Sequence, residues 1–201
     1  MKKILFALIL LIPLGVLAQH PKMHMKLYGG INVSTLVYRV ENVESDILAG
    51  FQIGGGFRIK QKALFGEIDF EYLVQGITYS PREEAETDIE DDLSLILRGF
   101  EVPVLIGYVP LREPVFGIYL YGGIVNRFSM NGHLYYQDLD IKFKPKELRL
   151  HFYNLSARFG AQIDLAMFNF DLSYTIGVTN SFRDRTRTNQ HTIKFGLGFL
   201  F

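Results

Sequence analysis

The sequence predicts an all-β fold, an eight-stranded, antiparallel, up-and-down transmembrane β-barrel. Apolar and polar residues alternate with a period of two in eight segments, most of them about 11 residues long. A tilted strand needs about this length to cross a bilayer. The connections between the segments vary between short and long, which is the loop pattern of transmembrane barrels.

The N-terminus has the features of a secretory signal peptide. Two lysines open the sequence, an apolar run ends at Val16, and Ala18 precedes Gln19. A retained membrane anchor is the weaker alternative, because the run is shorter than the roughly 20 residues that span a bilayer. We therefore expect a signal peptide at 1–18 and an outer-membrane β-barrel domain at 19–201. The chain has no cysteine, which excludes disulfides, a lipoprotein anchor and thiol chemistry.

The overall charge gives no reason to expect a nucleic-acid partner. Removal of the signal peptide leaves 19 basic against 21 acidic side chains. Two glycine-rich stretches, Gly54-Gly55-Gly56 and Gly196-x-Gly198, do not open a helix and so lack the geometry of a phosphate-binding loop. We expect no cofactor and no nucleic acid.

The order of the segments predicts the topology. An even number of strands places both termini on the same side, which we expect to be the periplasmic side of the outer membrane of a Gram-negative bacterium. The segments lie near 25–36, 50–60, 64–75, 95–109, 116–127, 153–163, 168–178 and 192–201. The short connections are 61–63, 110–115 and 165–167, and the long ones are 37–49, 76–94, 128–151 and 179–190.

The connection at 128–151 contains a further turn signal. Asn131-Gly132 is typical of a β-hairpin, and residues 133–143 have the composition of another strand. A ninth membrane-spanning strand would place the C-terminus outside. We therefore interpret this stretch as an external extension of the barrel wall or as a loop.

The polar face of the strands is predicted to line the interior. A soluble lipocalin-like carrier, with an apolar interior, is the alternative. The interior of eight strands is just wide enough for its own side chains, and an unpaired buried charge costs several kcal/mol. We expect an ion-paired plug rather than an active site. Its members are Glu67, Asp69, Glu71, Glu101, Asp171, Arg58, Arg158 and Lys194, beside Lys26.

The last strand resembles the C-terminal targeting signal of outer-membrane barrels. Lys194, Gly196, Phe199 and Phe201 match its pattern of a polar residue, a glycine and terminal aromatic residues. The resemblance implies recognition by the barrel-assembly machinery. Aromatic residues also predict two interfacial belts. One contains Phe57, Tyr108, Phe116, Phe168, Phe199 and Phe201, and the other contains Phe51, Phe100, Tyr153 and Tyr174.

No catalytic, cofactor or metal residue is predicted. His20 and His24 have a spacing of four, but nothing nearby completes a zinc site. His151 and His191 could meet at the barrel rim with Ser181 and Asp184 as partners. That arrangement is the basis of the enzymatic alternative, a loop-sited outer-membrane hydrolase or acyltransferase. The fifth histidine, His133, lies in a predicted external loop.

The predicted external loops have charges of opposite sign. Residues 82–92 have a net charge of −6, whereas 142–149 and 183–187 are basic. Such charges are usually solvated, and the loops could also pair with each other. The functional interpretation is binding to lipopolysaccharide phosphates, divalent cations or a partner protein.

A motif in the fourth segment resembles the PorT-like outer-membrane barrels of Bacteroidetes. The segment Phe100–Tyr108 contains Glu-x-Pro followed by apolar residues, and Phe116–Gly123 resembles the aromatic, glycine-ended strand that follows in that family. The resemblance implies an accessory role in a secretion or transport assembly. Pro103 cannot donate to a sheet, so we expect a bulge there or a bond from Glu101 to the free backbone.

From these observations we expect a small, non-enzymatic barrel that is structural or binds a partner through its external loops. The expected partners are outer-membrane lipid, including lipopolysaccharide, the barrel-assembly machinery during insertion, and an envelope protein complex.

Overall fold

The computed structural model describes residues 22–38, 43–81, 93–136, 139–143, 151–179 and 188–201. Within these ranges no helix is long and apolar enough to cross a membrane. The described residues form nine strands. They are β1 (Lys22–Tyr38), β2 (Val43–Gln61), β3 (Leu64–Pro81), β4 (Leu93–Arg112), β5 (Phe116–Tyr136), β6 (Leu139–Phe143), β7 (Tyr153–Leu165), β8 (Phe168–Gly177) and β9 (Thr188–Leu200).

Eight of these strands close into a barrel. Each strand pairs in antiparallel fashion with the next, β5 pairs with β7, and the pairing of β1 with β9 closes the ring. The short strand β6 pairs with residues 132–136 of β5, beyond Phe128, which is paired with the first residue of β7. The predicted eight-stranded antiparallel barrel is therefore confirmed, and β6 extends its wall rather than forming a ninth barrel strand.

The three short connections lie together at one end of the barrel. Lys62 and Ala166 adopt positive φ angles of 53° and 54° in two-residue turns, a conformation that matches the twist of the flanking strands. In the third connection, the Glu113 amide donates to the carbonyl of Phe116 at 2.7 Å. We call this the turn end, and we call the opposite end, where the long connections lie, the loop end.

The strands extend further toward the loop end than the sequence predicts, and one turn prediction is wrong. Asn131 and Gly132 lie inside β5, where they pair with Arg98 and Leu97 of β4. The chain reverses instead between Tyr136 and Leu139, which pair with each other. Hydrogen bonds on both sides of β5 stabilise the extended backbone there, so cross-strand pairing overrides the local turn preference.

The proline in β4 is accommodated differently from our expectation. The register between β3 and β4 is the same before and after Pro103, so no bulge occurs at this site. The ladder to β3 is simply interrupted between the pairs Ile68–Val104 and Glu71–Glu101, opposite the position that lacks an N–H. The Glu101 carboxylate bonds to cations in the interior rather than to the free backbone.

Side chains are sorted by the alternation of the strands. The exposed outer wall consists mainly of apolar residues, whereas charged and amide side chains are buried inside. This distribution is the reverse of that in a lipocalin, so the soluble-carrier alternative is wrong. The predicted belt residues Phe57, Tyr108, Phe168, Phe199 and Phe201 are exposed near the turn end, whereas Phe116 is half-buried there. Phe51, Phe100, Tyr153 and Tyr174 are exposed nearer the loop end.

Candidate functional site

The barrel interior is filled by two clusters of charged side chains. Both arise because every second residue of a strand points inward, so that residues distant in sequence meet across the lumen. The first cluster, nearer the turn end, contains Lys26, Arg58, Lys60, Glu67, Asp69 and Asp164. The second cluster, nearer the middle, contains Glu71, Glu101, Arg127, Arg158 and Lys194.

Arg58 organises the first cluster. Its side chain is fully buried, with Nε donating to Glu67 at 2.6 Å and Nη1 donating to Asp164 at 2.9 Å. The guanidinium also stacks against the ring of Tyr119, with 4.9 Å between Cζ and the ring centroid. Lys60 contacts the same Asp164 at 3.0 Å. Each of these charges therefore has an opposite charge in direct contact.

The other half of the first cluster is centred on Lys26. Its ammonium donates to Glu67 and lies 3.1 Å from Asp69. Asp69 also accepts a hydrogen bond from the Tyr28 hydroxyl at 3.4 Å. Gly56 lies directly across the pair of strands from Asp69, and a Cβ atom there would lie 1.9 Å from Oδ1 of Asp69. The absence of a side chain at Gly56 makes room for this carboxylate.

Glu101 organises the second cluster. Its Oε1 accepts from Nε of Arg127 at 2.6 Å, and its Oε2 accepts from Nη2 of Arg158 at 2.6 Å. Lys194 donates to the same Oε2 at 2.6 Å. Glu71 then accepts from both Arg158 and Lys194. Three cations and two carboxylates are thus interlocked in a region without solvent exposure.

Uncharged polar groups continue the network toward the loop end. Gln75 accepts from Arg127 at 3.0 Å and donates to Ser34 at 2.7 Å. Arg127 and Gln75 also line a cavity of about 30 Å³, together with Asn154, whose Oδ1 is buried without a partner among the described residues. A cavity of this size holds only one or two water-sized groups, far less than the several hundred Å³ of a ligand pocket.

A small apolar core closes the lumen at the turn end. Phe65 and Tyr119 pack edge to face, with ring centroids 5.4 Å apart. The alternation placed Tyr119 and Tyr121 on the inner face, whereas the inward positions of Phe65, Leu105 and Val109 were not predicted. The members of this core are Phe65, Leu105, Val109, Tyr119 and Tyr121.

The structure places the eight predicted network residues inside the barrel. Seven of them form the ion pairs described above, and the eighth, Asp171, accepts from the Tyr121 hydroxyl at 2.7 Å. Three further members were missing from the predicted set, namely Lys60, Arg127 and Asp164. Lys60 and Arg127 lie on the polar faces of the predicted strands 50–60 and 116–127, and Asp164 continues the polar face one residue beyond the predicted strand 153–163.

The interior charges balance. Including Asp171, the interior contains six carboxylates and six cations, all among the described residues. Because the carboxylates are held by cations or by a phenol, a substrate would have to break existing pairs to use one of them as an acid or base. The arrangement is that of a plug. No group of three potential metal ligands occurs within the described part of the chain.

The histidines do not form the arrangement of the enzymatic alternative within the described residues. His191 lies on the outer wall, with Nδ1 2.6 Å from the hydroxyl of Tyr174. The backbone carbonyl of His151 accepts from the Asn154 amide at 3.1 Å. Ser181, Asp184 and His20 lie outside the described residues. The charged stretches 82–92, 144–149 and 183–187 also lie outside them, as does the signal peptide at 1–18.

The residues of the presumed targeting signal form the closing strand. Lys194 points inward, and Phe199 and Phe201 are exposed on the outer wall. The backbone of Phe201 exchanges two hydrogen bonds with Met25 of β1, at 2.9 and 3.1 Å. The role of this strand in targeting stays a prediction.

A family profile described as the outer membrane protein beta-barrel domain matches residues 4–201. No match was found among curated proteins. Among solved structures, Ail, the attachment invasion locus protein of Yersinia pestis, is 12% identical, with 90% of this chain and 99% of that chain covered and a TM-score of 0.46. Neisserial surface protein A is 10% identical, with 88% and 97% covered and a TM-score of 0.47. LpxR from Salmonella typhimurium is 8% identical, with 90% and 100% covered and a TM-score of 0.35.

Proposed function

The chain belongs to the outer membrane protein beta-barrel domain family, and from this premise we propose that it is a non-enzymatic barrel that binds an envelope partner through its loop end. The outer membrane is accordingly its location. The observation that carries the proposal is the closed interior. Glu101 and Arg58 are fully buried in ion pairs, so at their level the described side chains fill the lumen with paired charges and leave neither of these two groups free for a solute or for catalysis.

The loop end is the part of the molecule that remains for recognition. There the wall continues beyond the apolar band, in β5, β6 and the adjoining ends of β2, β3 and β4. The sequence places an acidic stretch at 82–92 and basic stretches at 142–149 and 183–187 in connections at this end. Basic stretches suit lipopolysaccharide phosphates, and a surface with both signs suits an envelope protein of complementary charge.

The orientation follows from the same reasoning. We place the loop end outside the cell and both termini in the periplasm, after removal of residues 1–18 as a signal peptide. Short periplasmic turns and long external connections support this placement. The barrel-assembly machinery would bind the targeting signal, which consists of Lys194, Gly196, Phe199 and Phe201, before the barrel closes.

Within the family, we propose a PorT-like member from Bacteroidetes that acts as an accessory of a secretion or transport assembly. The support is the Glu101-x-Pro103 motif and the aromatic strand after it. In the structure, Glu101 holds three cations and Pro103 coincides with an interruption of the β-ladder.

The test is gentle detergent extraction from the native cells, followed by mass spectrometry of the proteins and lipids that copurify. We expect a defined envelope partner that is lost when the acidic residues of 82–92 are changed to Asn and Gln. A matched variant, Glu113→Gln at the turn end, should retain it. The proposal is wrong if nothing copurifies with the wild type while His151→Ala or His191→Ala abolishes a lipid or peptide modification in the cells.

A further inference from the structure

The apolar band of the outer wall has the same length in residues on three strands. The outward residues are apolar, aromatic or glycine over ten residues of each strand. The count starts at Met25 in β1 and at Phe116 in β5, and it runs back from Phe201 in β9. Ten residues at 3.3 Å each, tilted by 35–45°, rise about 25 Å, the height of the apolar band in membrane barrels. The first polar side chains above it are Thr35, Asn126 and His191.

Cross-strand pairing shows that two of these residues are direct neighbours. Met25 and Phe201 exchange backbone hydrogen bonds at the turn end, and Thr35 pairs with His191 ten residues further on. His191 therefore lies at the boundary between hydrocarbon and headgroups. Its side chain faces the lipid rather than the lumen, because the neighbouring inward positions are those of Thr192 and Lys194.

Asn126 and His191 differ in how many of their side-chain hydrogen-bonding atoms are bonded to other residues of the wall. Asn126 is satisfied by the wall itself, because its amide donates to the carbonyl of Val102 at 3.2 Å and its Oδ1 accepts from the Tyr153 hydroxyl at 2.9 Å. In the imidazole of His191, Nδ1 is bonded to the Tyr174 hydroxyl at 2.6 Å. A phenol is the better donor of the two, so this contact favours the neutral tautomer in which Nδ1 accepts and Nε2 carries the proton.

We propose that His191 is a lipid-binding residue whose Nε2–H donates to a phosphate oxygen of the lipid A headgroup, with Tyr174 as the residue that fixes the tautomer. The inference rests on the proposed orientation, which places the loop end in the outer leaflet. There, lipid A phosphates are strong acceptors at the height of the aromatic belt. The exposed ring of Tyr174 packs at 5.8 Å from the imidazole and limits its rotation.

Native mass spectrometry in a maltoside detergent, which contains no phosphate, tests this proposal. The full chain is titrated with bisphosphorylated lipid A and, separately, with lipid A whose phosphates have been removed. We expect tighter binding of the phosphorylated lipid, weakened roughly fivefold by His191→Phe, the effect of one hydrogen bond. Tyr174→Phe should weaken it less. Tyr153→Phe, which removes an outer-wall hydroxyl that bonds to Asn126 rather than to His191, should leave it unchanged.

A second measurement keeps the test independent of affinity. Nitrogen NMR of the wild type in lipid A micelles should show His191 protonated at Nε2, with a shift of that resonance on removal of the lipid phosphates. Equal binding of both lipids, or equal binding by His191→Phe and the wild type, overturns the proposal. Phosphate discrimination combined with protease-accessible termini on intact cells would overturn the proposed orientation instead, because the contact would then face the inner leaflet.

Discussion

The ammonium of Lys194 and the carboxylate of Glu101 lie 2.6 Å apart in the middle of the lumen, where solvent reaches neither side chain. They belong to β9 and β4, so this pair connects opposite walls of the barrel. Arg127 and Arg158 share the same carboxylate. Glu101 therefore compensates more buried positive charge than any other single acidic residue of the second cluster.

The first prediction concerns this carboxylate. Glu101→Gln keeps the shape of the side chain but leaves three buried cations with Glu71 alone, so we expect a loss of about 3–5 kcal/mol in the free energy of unfolding. Urea titration in lipid vesicles, followed by circular dichroism, measures it. Glu113→Gln, at an exposed turn, is the control and should stay within about 0.5 kcal/mol of the wild type. Equal midpoints for the two variants would refute the buried role of Glu101.

The second prediction uses two glycines of the wall. A Cβ at Gly56 would lie 2.4 Å from the backbone carbonyl of Ile68 and 1.9 Å from Asp69, whereas a Cβ at Gly66 has nothing closer than 3.9 Å. We expect Gly56→Ala to destabilise the barrel by about 1–3 kcal/mol. Gly66→Ala should be neutral or slightly stabilising, because alanine restricts the unfolded chain. The same urea titration decides, and a Gly56→Ala variant as stable as Gly66→Ala would contradict the described packing.

The third prediction tests the position of the barrel in the bilayer. Leu197 faces outward near the middle of the apolar band, and Leu111 faces outward close to the turn end. We expect Leu197→Lys to cost about 2–4 kcal/mol in vesicles and Leu111→Lys no more than about 1 kcal/mol, because the cost of a charge falls with distance from the midplane. The two costs are compared by folding titrations in the same lipid. A larger cost at Leu111 would mean that the band is placed wrongly.

The fourth prediction separates targeting from stability. Phe201 is exposed and contacts β1 through its backbone, so Phe201→Lys should change the stability of the purified barrel by less than about 1 kcal/mol. In cells we expect a several-fold lower level in the outer membrane, measured by immunoblotting of fractionated envelopes. Met23→Lys, an equally exposed residue at the same end, is the control. Normal levels of the Phe201→Lys protein would exclude the targeting role.

The period-two pattern predicted the fold and most of the network. Glu67, Asp69 and Glu71 alternate along a single strand, so their common direction follows from the sequence. The partner of each charge does not follow from the sequence. Arg58 and its partner Asp164 are 106 residues apart in the chain, and Lys194 and Glu71 are 123 residues apart. Asp164 was missed because it lies one residue beyond the predicted end of its strand, whereas Lys60 lies on the polar face of its predicted strand but was not assigned to the network.

Two local preferences were overridden by the sheet. Asn131-Gly132 has the strongest short-range turn preference in its region, yet β4 pairs with it and holds it extended. Pro103 lacks a donor, yet the register continues on both sides of it. In both cases the hydrogen bonds of neighbouring strands outweigh a preference that involves one or two residues.

The sequence by itself determined which face of each strand is polar, how many strands cross the band, and that the interior must be charged. These properties depend only on the spacing of residues along one strand. The tertiary structure alone decided the strand register, the pairing of each buried charge, and the level at which the apolar band ends. Register and pairing are set where distant strands meet, since closure of the barrel fixes the relative height of β1 and β9 and thereby brings Thr35 beside His191.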